Sequence, residues 1–393
     1  MTERYLLMIP GPIEFDPAVL RAMATKTPSH IAPQFIEVFG EALGRLREVF
    51  LAPNGQPFVV AGSGTLAMDM AAANLVEPGD KALVVNTGYF SDRFADILER
   101  YGAQISQVRA ELGDVPPLEE VEEVLQQGDF KLLVVTHVDT STGVVADVKA
   151  LAELAQRYGA LSVVDGVCAT AGEECRQEEW GVDIYLTASQ KAIGVPPGLA
   201  LLMASSRAIE AFKRRKAPVA NYYADWANWL PIMEAYEARR PSYFATPPVN
   251  LIYALRESLS QILAEGMEAR FHRHQVISDA FKAAVSALGL CQVPLDAAKA
   301  AHTMTTIYYP DGVDSSLLAE IRAQGVVVAG GLHPAIKDKY FRVGHMGAVS
   351  PGDILATIGA IEKALVARGY KIELGAGLTA AQPILEQLEG GRL

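Results

Sequence analysis

Three stretches of the chain carry residue types that could do chemistry together. Gly62-Ser63-Gly64-Thr65 follows an apolar run and opens an alanine-rich segment. Glycines let a backbone approach a phosphate closely, and a helix N-terminus offers unpaired N–H groups with a favourable dipole. Ser63 and Thr65 add hydroxyls. Asp165 ends the run Leu161-Ser162-Val163-Val164. A carboxylate at the end of a buried strand lies where ligands bind in open α/β sheets. Lys191 ends Leu186-Thr187-Ala188-Ser189-Gln190-Lys191, one strand later. Burial disfavours an ammonium and lowers its pKa, which suits Schiff-base formation.

Each stretch alone has a plainer alternative. The loop could be a turn that needs glycine, or, with Ala67, a G-x-G-x-x-A dinucleotide fingerprint. That fingerprint wants an acid roughly 20 residues on, where Val84-Val85-Asn86 offers none. Asp165 could cap the next helix, and Lys191 could snorkel to solvent. Taken in this order, the three point to pyridoxal phosphate. The phosphate needs the loop, the pyridine nitrogen an acid and the aldehyde an amine.

The elements that must position these residues are legible as periodicity. Short apolar runs occur at 58–61, 82–85, 132–136, 161–164, 184–187 and 199–203. Strands this apolar are buried on both faces, which implies a mostly parallel sheet covered by helices. Helical segments at 66–75, 90–101, 118–126 and 148–158 separate several of them, giving βαβ units. The stretch 213–219 is basic and leaves the sheet, and 222–240 is aromatic-rich and expected to be irregular. Long helices are expected at 251–265 and 266–288. Strands at 303–309, 325–329 and 340–343 then suggest a smaller α+β domain, and one helix is expected after Tyr370.

Composition narrows the partners. The 393 residues carry 34 Lys and Arg against 46 Asp and Glu, a net charge of −12. Nucleic acid is disfavoured, because no basic excess is available for phosphates. Three cysteines (Cys168, Cys175, Cys291) with no C-x-x-C pair imply a reducing compartment. No apolar stretch reaches about 18 residues, and the N-terminus has no secretory pattern. Gly391-Arg392-Leu393 is at most a distant variant of a peroxisomal address. The expected location is cytoplasmic. His272 and His274 point to different sides of one helix, so no metal is expected there.

The chain resembles the class V aminotransferases of pyridoxal-phosphate fold type I, from Pro10-Gly11-Pro12 to about residue 365. The matching motifs are Ala61-Gly62-Ser63-Gly64-Thr65, Thr87-Gly88-Tyr89-Phe90-Ser91-Asp92-Arg93, Thr136-His137-Val138-Asp139-Thr140-Ser141-Thr142-Gly143, Val164-Asp165-Gly166-Val167, Ala188-Ser189-Gln190-Lys191-Ala192 and Phe341-Arg342-Val343-Gly344-His345-Met346-Gly347. The resemblance is nearest to the alanine–glyoxylate and serine–pyruvate members. It implies a seven-stranded, mostly parallel sheet in a large domain at 21–258. It also implies a small domain at 259–370, an N-terminal segment at 1–20 over the site and a tail at 371–393.

It implies roles as well. Lys191 would hold the cofactor as a Schiff base and carry the proton. Asp165 would face the pyridine nitrogen. Ser63, Gly64, Thr65 and Gln190 would hold the phosphate. Phe90 would stack on the ring, with Val167 on its other face and Thr140 near the ring hydroxyl. Tyr243 and Thr246 would reach the phosphate of a partner subunit, making a homodimer. Arg342 would clamp the substrate carboxylate with two parallel bonds, and Gly11 would lie over the substrate. Cys168 is expected to be a small buried residue, and His30, His137 and His345 are assigned no catalysis.

A single matched carboxylate-binding arginine implies small monocarboxylates, with alanine as donor and glyoxylate as acceptor. Serine–glyoxylate, serine–pyruvate and ureidoglycine–glyoxylate exchange are the alternatives. Cysteine desulfuration is disfavoured, because no cysteine loop matches and Phe90 stands at the stacking position. An NAD-dependent oxidoreductase is disfavoured by Asn86, and a silent scaffold by the joint presence of Asp165, Gln190, Lys191 and Arg342.

Overall fold

The computed structural model describes residues 5–389. Seven strands form the large sheet: β1 (Gln56–Ala61), β2 (Lys81–Asn86), β3 (Gln104–Arg109), β4 (Phe130–Thr136), β5 (Leu161–Asp165), β6 (Ile184–Ala188) and β7 (Leu199–Ala204). Their order is β1-β7-β6-β5-β4-β2-β3. Strands β3, β2, β4, β5 and β6 pair in parallel, and β7 runs antiparallel to both β6 and β1. The expected mostly parallel seven-stranded sheet is therefore present. Its central strands are buried along their whole length, as strands covered on both faces must be.

Periodicity located six of these strands and missed β3. That strand is the sheet edge and reads Gln104-Ile105-Ser106-Gln107-Val108-Arg109, with one buried residue. A polar edge strand lacks the apolar run that betrays a central one. A second difference lies in the aromatic segment, which contains the helix Trp226–Glu237 rather than irregular chain. Asp225 caps it by accepting from the Ala227 N–H, and Trp226, Trp229 and Tyr236 are buried. Pro231 within this helix obscured it in the sequence, since proline removes a helical donor.

Helices Gly64–Leu75, Tyr89–Arg100 and Val148–Arg157 follow β1, β2 and the β4 region, and cover the sheet. The long helices Val249–Glu265 and Met267–Ala287 meet at Gly266. A second, three-stranded antiparallel sheet places Tyr340–Gly344 between Met304–Tyr308 and Ala329–Gly330. The apolar core divides accordingly. One cluster runs from Val19 to Met267, and another joins Met8 to residues between Ile277 and Leu385. The expected C-terminal helix is Ala376–Glu389. No described helix is long and apolar enough to cross a membrane.

The N-terminal segment threads between these parts. Leu6–Leu7 pairs in parallel with Val326–Val327. Gly344 donates its N–H to Met8 at 2.9 Å, and Ile13 donates to the Gln190 carbonyl at 3.1 Å. This threading carries Pro10 and Gly11 across the C-terminal end of β6.

Candidate active site

The C-terminal ends of β1, β5 and β6 open into one cavity of about 190 Å³. Gly11, Ser63, Gly64, Thr65, Phe90 and Thr140 line it, together with Asp165, Val167, Gln190 and Lys191. Ten sequence-predicted residues thus converge from six separate segments. Cys168, Met68, Val138 and Arg93 complete the lining.

The glycine loop leads straight into a helix whose first turn is open. Ser63 takes the N-cap position, yet its side chain makes no capping bond. The first-turn N–H groups are orphans that an anion could satisfy. Gly64 is required by space, because a Cβ there would lie 2.8 Å from Val167 Cγ2. The Gln190 Oε1 is buried without a hydrogen-bond partner, and its Nε2 makes no bond among the described residues, so this side chain of the cavity keeps an N–H donor for an anion.

Asp165 is buried at the last position of β5 and accepts one bond, from the Val167 N–H at 2.9 Å. Burial pushes its carboxyl up to about 7; the Val167 N–H, Lys191 and Arg93 all pull in the opposite direction. Lys191 is buried as well, and desolvation lowers its pKa. Its Nζ donates to the Pro10 carbonyl. Gly11 sits against the same side chain at a φ of +95°, and a Cβ there would come within 2.5 Å of Lys191 Cδ. Only glycine suits both the space and the left-handed backbone.

Phe90 is fixed by Asp139, an acid inside the Thr136–Gly143 motif to which the sequence assigned no role. The Asp139 carboxylate accepts from the N–H groups of Phe90 (3.0 Å) and Ser141 (2.9 Å) and from the Ser141 hydroxyl (2.6 Å). Burial raises its pKa against these bonds. An acid whose acceptors are all engaged at a helix start is structural.

Arg342 lies on the central strand of the small sheet and is not among the cavity-lining residues. Its Nε donates to the Gly330 carbonyl at 2.8 Å and its Nη1 to the Thr140 carbonyl at 3.3 Å. It therefore stands just behind a lining residue. Its Nη2 makes no hydrogen bond among the described residues, so the fork keeps free N–H donors for a carboxylate. Tyr243 and Thr246 are exposed and line no part of this chain's own cavity. The Tyr243 ring, 61% exposed, packs on His30 at 5.1 Å. Cys168 is buried and lines the cavity, with Sγ 3.6 Å from Met304 Sδ.

Three buried histidines are occupied elsewhere. His137 Nδ1 meets the Tyr185 hydroxyl at 2.8 Å, and burial lowers its pKa to about 4. His274 bridges the Arg270 carbonyl and the Gly347 N–H. His345 meets Thr305, and burial takes it to about 3.

A buried acid and a buried amine on adjacent strand ends, beside an open helix N-terminus, form a donor set that fits pyridoxal phosphate. Fold and site together define a fold-type-I pyridoxal-phosphate enzyme. The chain belongs to the class-V aminotransferase family, whose model matches residues 19–350. It is 43% identical over 357 residues to alanine–glyoxylate aminotransferase 1 of Saccharomyces cerevisiae, covering 88% of this chain and 92% of that protein. An alanine–glyoxylate aminotransferase structure from Nostoc sp. superimposes with a TM-score of 0.87 at 34% identity, covering 93% of this chain and 96% of that one. The ureidoglycine–glyoxylate aminotransferase of Bacillus subtilis gives 0.91 at 29% identity, covering 98% and 99%.

Proposed function

We propose that this aminotransferase moves the amino group of L-alanine to glyoxylate, giving pyruvate and glycine, as a cytoplasmic homodimer. The observation that carries the substrate reading is the 43% identity to the yeast alanine–glyoxylate enzyme across most of both chains. The single arginine fork behind Thr140 supports it, since a small monocarboxylate needs one charged anchor.

In this reading residues 21–258 bind the cofactor, 259–370 supply the substrate arginine, 1–20 cover the site and 371–393 form a tail. The bound cofactor supplies an electron sink for the pair left when the Cα–H bond breaks. Asp165 presents its carboxylate to the pyridine nitrogen, and burial makes a cationic partner the condition for full ionisation. Desolvation disfavours the Lys191 ammonium, which favours Nζ as the group that takes and returns the Cα proton. Gly64, Thr65, Ser63 and Gln190 hold the phosphate, while Phe90 and Val167 pack on opposite ring faces and Thr140 meets the ring edge. Gly11 and Pro10 close over the lysine and exclude water. Tyr243 and Thr246, exposed and outside the lining of their own cavity, serve the neighbouring subunit's phosphate.

The test is a matrix of donors (alanine, serine, aspartate, ureidoglycine) against glyoxylate and pyruvate, read by product formation. Alanine with glyoxylate is expected to be the fastest pair. Absence of pyruvate and glycine from that pair overturns the substrate reading. Sedimentation across a dilution series checks the assembly, and full activity in a monomer contradicts it.

A further inference from the structure

Arg93 lies on the second turn of the helix Tyr89–Arg100 and faces the cavity. Its Nη1 donates to the Thr65 hydroxyl at 3.4 Å and its Nη2 to the Tyr89 hydroxyl at 3.3 Å. Its guanidinium carbon stands 4.8 Å from the Phe90 ring centre and 5.1 Å from that of Tyr89. Two aromatic faces and two hydroxyls thus hold the fork in place without neutralising it. The adjacent acid, Asp92, is taken by Arg109 and Asn86. No ion pair among the described residues includes Arg93.

A partly buried cation without a counter-ion facing a cavity calls for an anionic ligand. The rest of the loop end is neutral: Ser63, Gly64, Thr65 and Gln190 offer hydrogen bonds but no charge. Lys191 is the other cation among the lining residues, and its amine is reserved for the aldehyde. The Thr65 contact places Arg93 at the loop end rather than beside Arg342. We propose that Arg93 is the charge partner of the cofactor phosphate, held by Phe90 and Tyr89 so that one residue couples phosphate binding to the position of the stacking ring. The same positive charge helps to keep Asp165 ionised against its burial. The proposal rests on the placement of the phosphate at the Ser63–Thr65 loop.

The experiment compares two ligands on the full-length protein stripped of cofactor. Dissociation constants for pyridoxal phosphate and for pyridoxal, which lacks the phosphate, are read by fluorescence quenching. The quantity of interest is the pyridoxal/pyridoxal-phosphate ratio. Arg93→Gln is expected to lower that ratio at least roughly tenfold, as loss of a charge-assisted bond would, with pyridoxal binding little changed. Arg93→Lys keeps the charge and is expected to retain a ratio at least about threefold above that of Arg93→Gln. Pyridoxal binding itself reports that each variant is folded. An unchanged ratio in Arg93→Gln overturns the proposal, as does equality of the two variants. Thr65→Val separates the two layers. If it lowers the ratio while Arg93→Gln does not, the phosphate lies at the loop and Arg93 is not its partner. If neither does, the placement of the phosphate itself fails.

Discussion

The face of the cavity and a second buried polar cluster, the seam that Glu265, Arg270 and Arg273 form with Glu173 and His302, use buried charge in opposite ways. On the cavity face, bonding is incomplete. Asp165 accepts one N–H, Gln190 Oε1 accepts none, and Lys191 reaches only the Pro10 carbonyl. In the seam, every charge is engaged. Arg270 donates through Nε to Ala171, through Nη2 to Ala192 and through Nη1 to Glu265 at 2.7–2.8 Å. Arg273 shares Glu265 and reaches the Gly347 and Val349 carbonyls. Glu173 accepts from the His302 and Thr303 N–H groups and from the His302 ring. Saturated groups fix geometry, and unsaturated ones wait for a ligand. The seam also touches the site, since Ala192 follows Lys191, and Ala171 belongs to the turn after Asp165.

If this division is right, cavity substitutions remove activity and spare the fold, whereas seam substitutions do the reverse. The largest effect is expected at Lys191. Lys191→Ala should lose roughly 10²–10⁴-fold in turnover through the missing proton carrier. In protein stripped of cofactor its melting temperature should hold or rise, because burial penalises the Lys191 ammonium and alanine carries no such penalty. Steady-state rates and thermal unfolding check both halves, and a clear loss of stability would blur the distinction.

Next comes Arg270→Met. Burial lowers the Arg270 pKa to about 10, yet it stays charged at neutral pH. Removing it leaves two carbonyls unmet and strips Glu265 of one partner, for a cost of about 3 kcal/mol. Arg273 remains on Glu265 and limits the damage. Arg270→Lys should recover little, since one ammonium cannot serve three separated acceptors. Denaturant titration measures both variants. A change below about 1 kcal/mol in Arg270→Met would mean that the clasp does not hold the site.

Asp165→Asn sharpens the contrast through its sign. In protein stripped of cofactor, a carboxyl raised from 3.8 to about 7 binds its proton more tightly folded than unfolded. Stability from this group is full below 3.8 and is lost as pH rises to about 7. Asparagine carries no such loss. The variant should therefore gain on the wild type across that window, by up to about 4 kcal/mol, and hold the gain above it. Cofactor affinity should fall in the same variant. A melting-temperature difference that does not vary with pH would show that Asp165 is not strained by burial.

The same contrast explains what could be read in the sequence. Cavity residues sit at strand ends beside glycines, so Asp165, Lys191 and Gly62-Ser63-Gly64-Thr65 announced themselves by type and position. The seam did not. Arg270 and Glu265 look like ordinary helix-surface charges, and only tertiary packing turns them inward. Asp139 and Arg93 stand inside family motifs, yet nothing in their spacing separates a helix-capping acid or a cavity-facing arginine from a solvated one. Strand β3 and the helix Trp226–Glu237 were missed for local reasons, a polar edge in one and Pro231 in the other.

The smallest effect is expected at the exposed end of the seam. Burial lowers the His302 pKa, but the bond and charge of Glu173 outweigh it, so the net shift is upward from 6.5. Burial likewise raises Glu173, and the His302 bonds with the charges of His302 and His137 bring it below 4.5. Lys282 opposes the His302 charge and Asp279 supports it. The histidine contribution is complete below 6.5 and fades as pH rises through its folded value. The glutamate contribution is complete above 4.5 and fades as pH falls through its own. The pair therefore stabilises most between these limits. His302→Gln should lower the melting temperature most in that window, and the difference should shrink on either side. A difference that grows above pH 6.5 would mean that His302 works there as a neutral ring, leaving Glu173 an uncompensated charge in the seam.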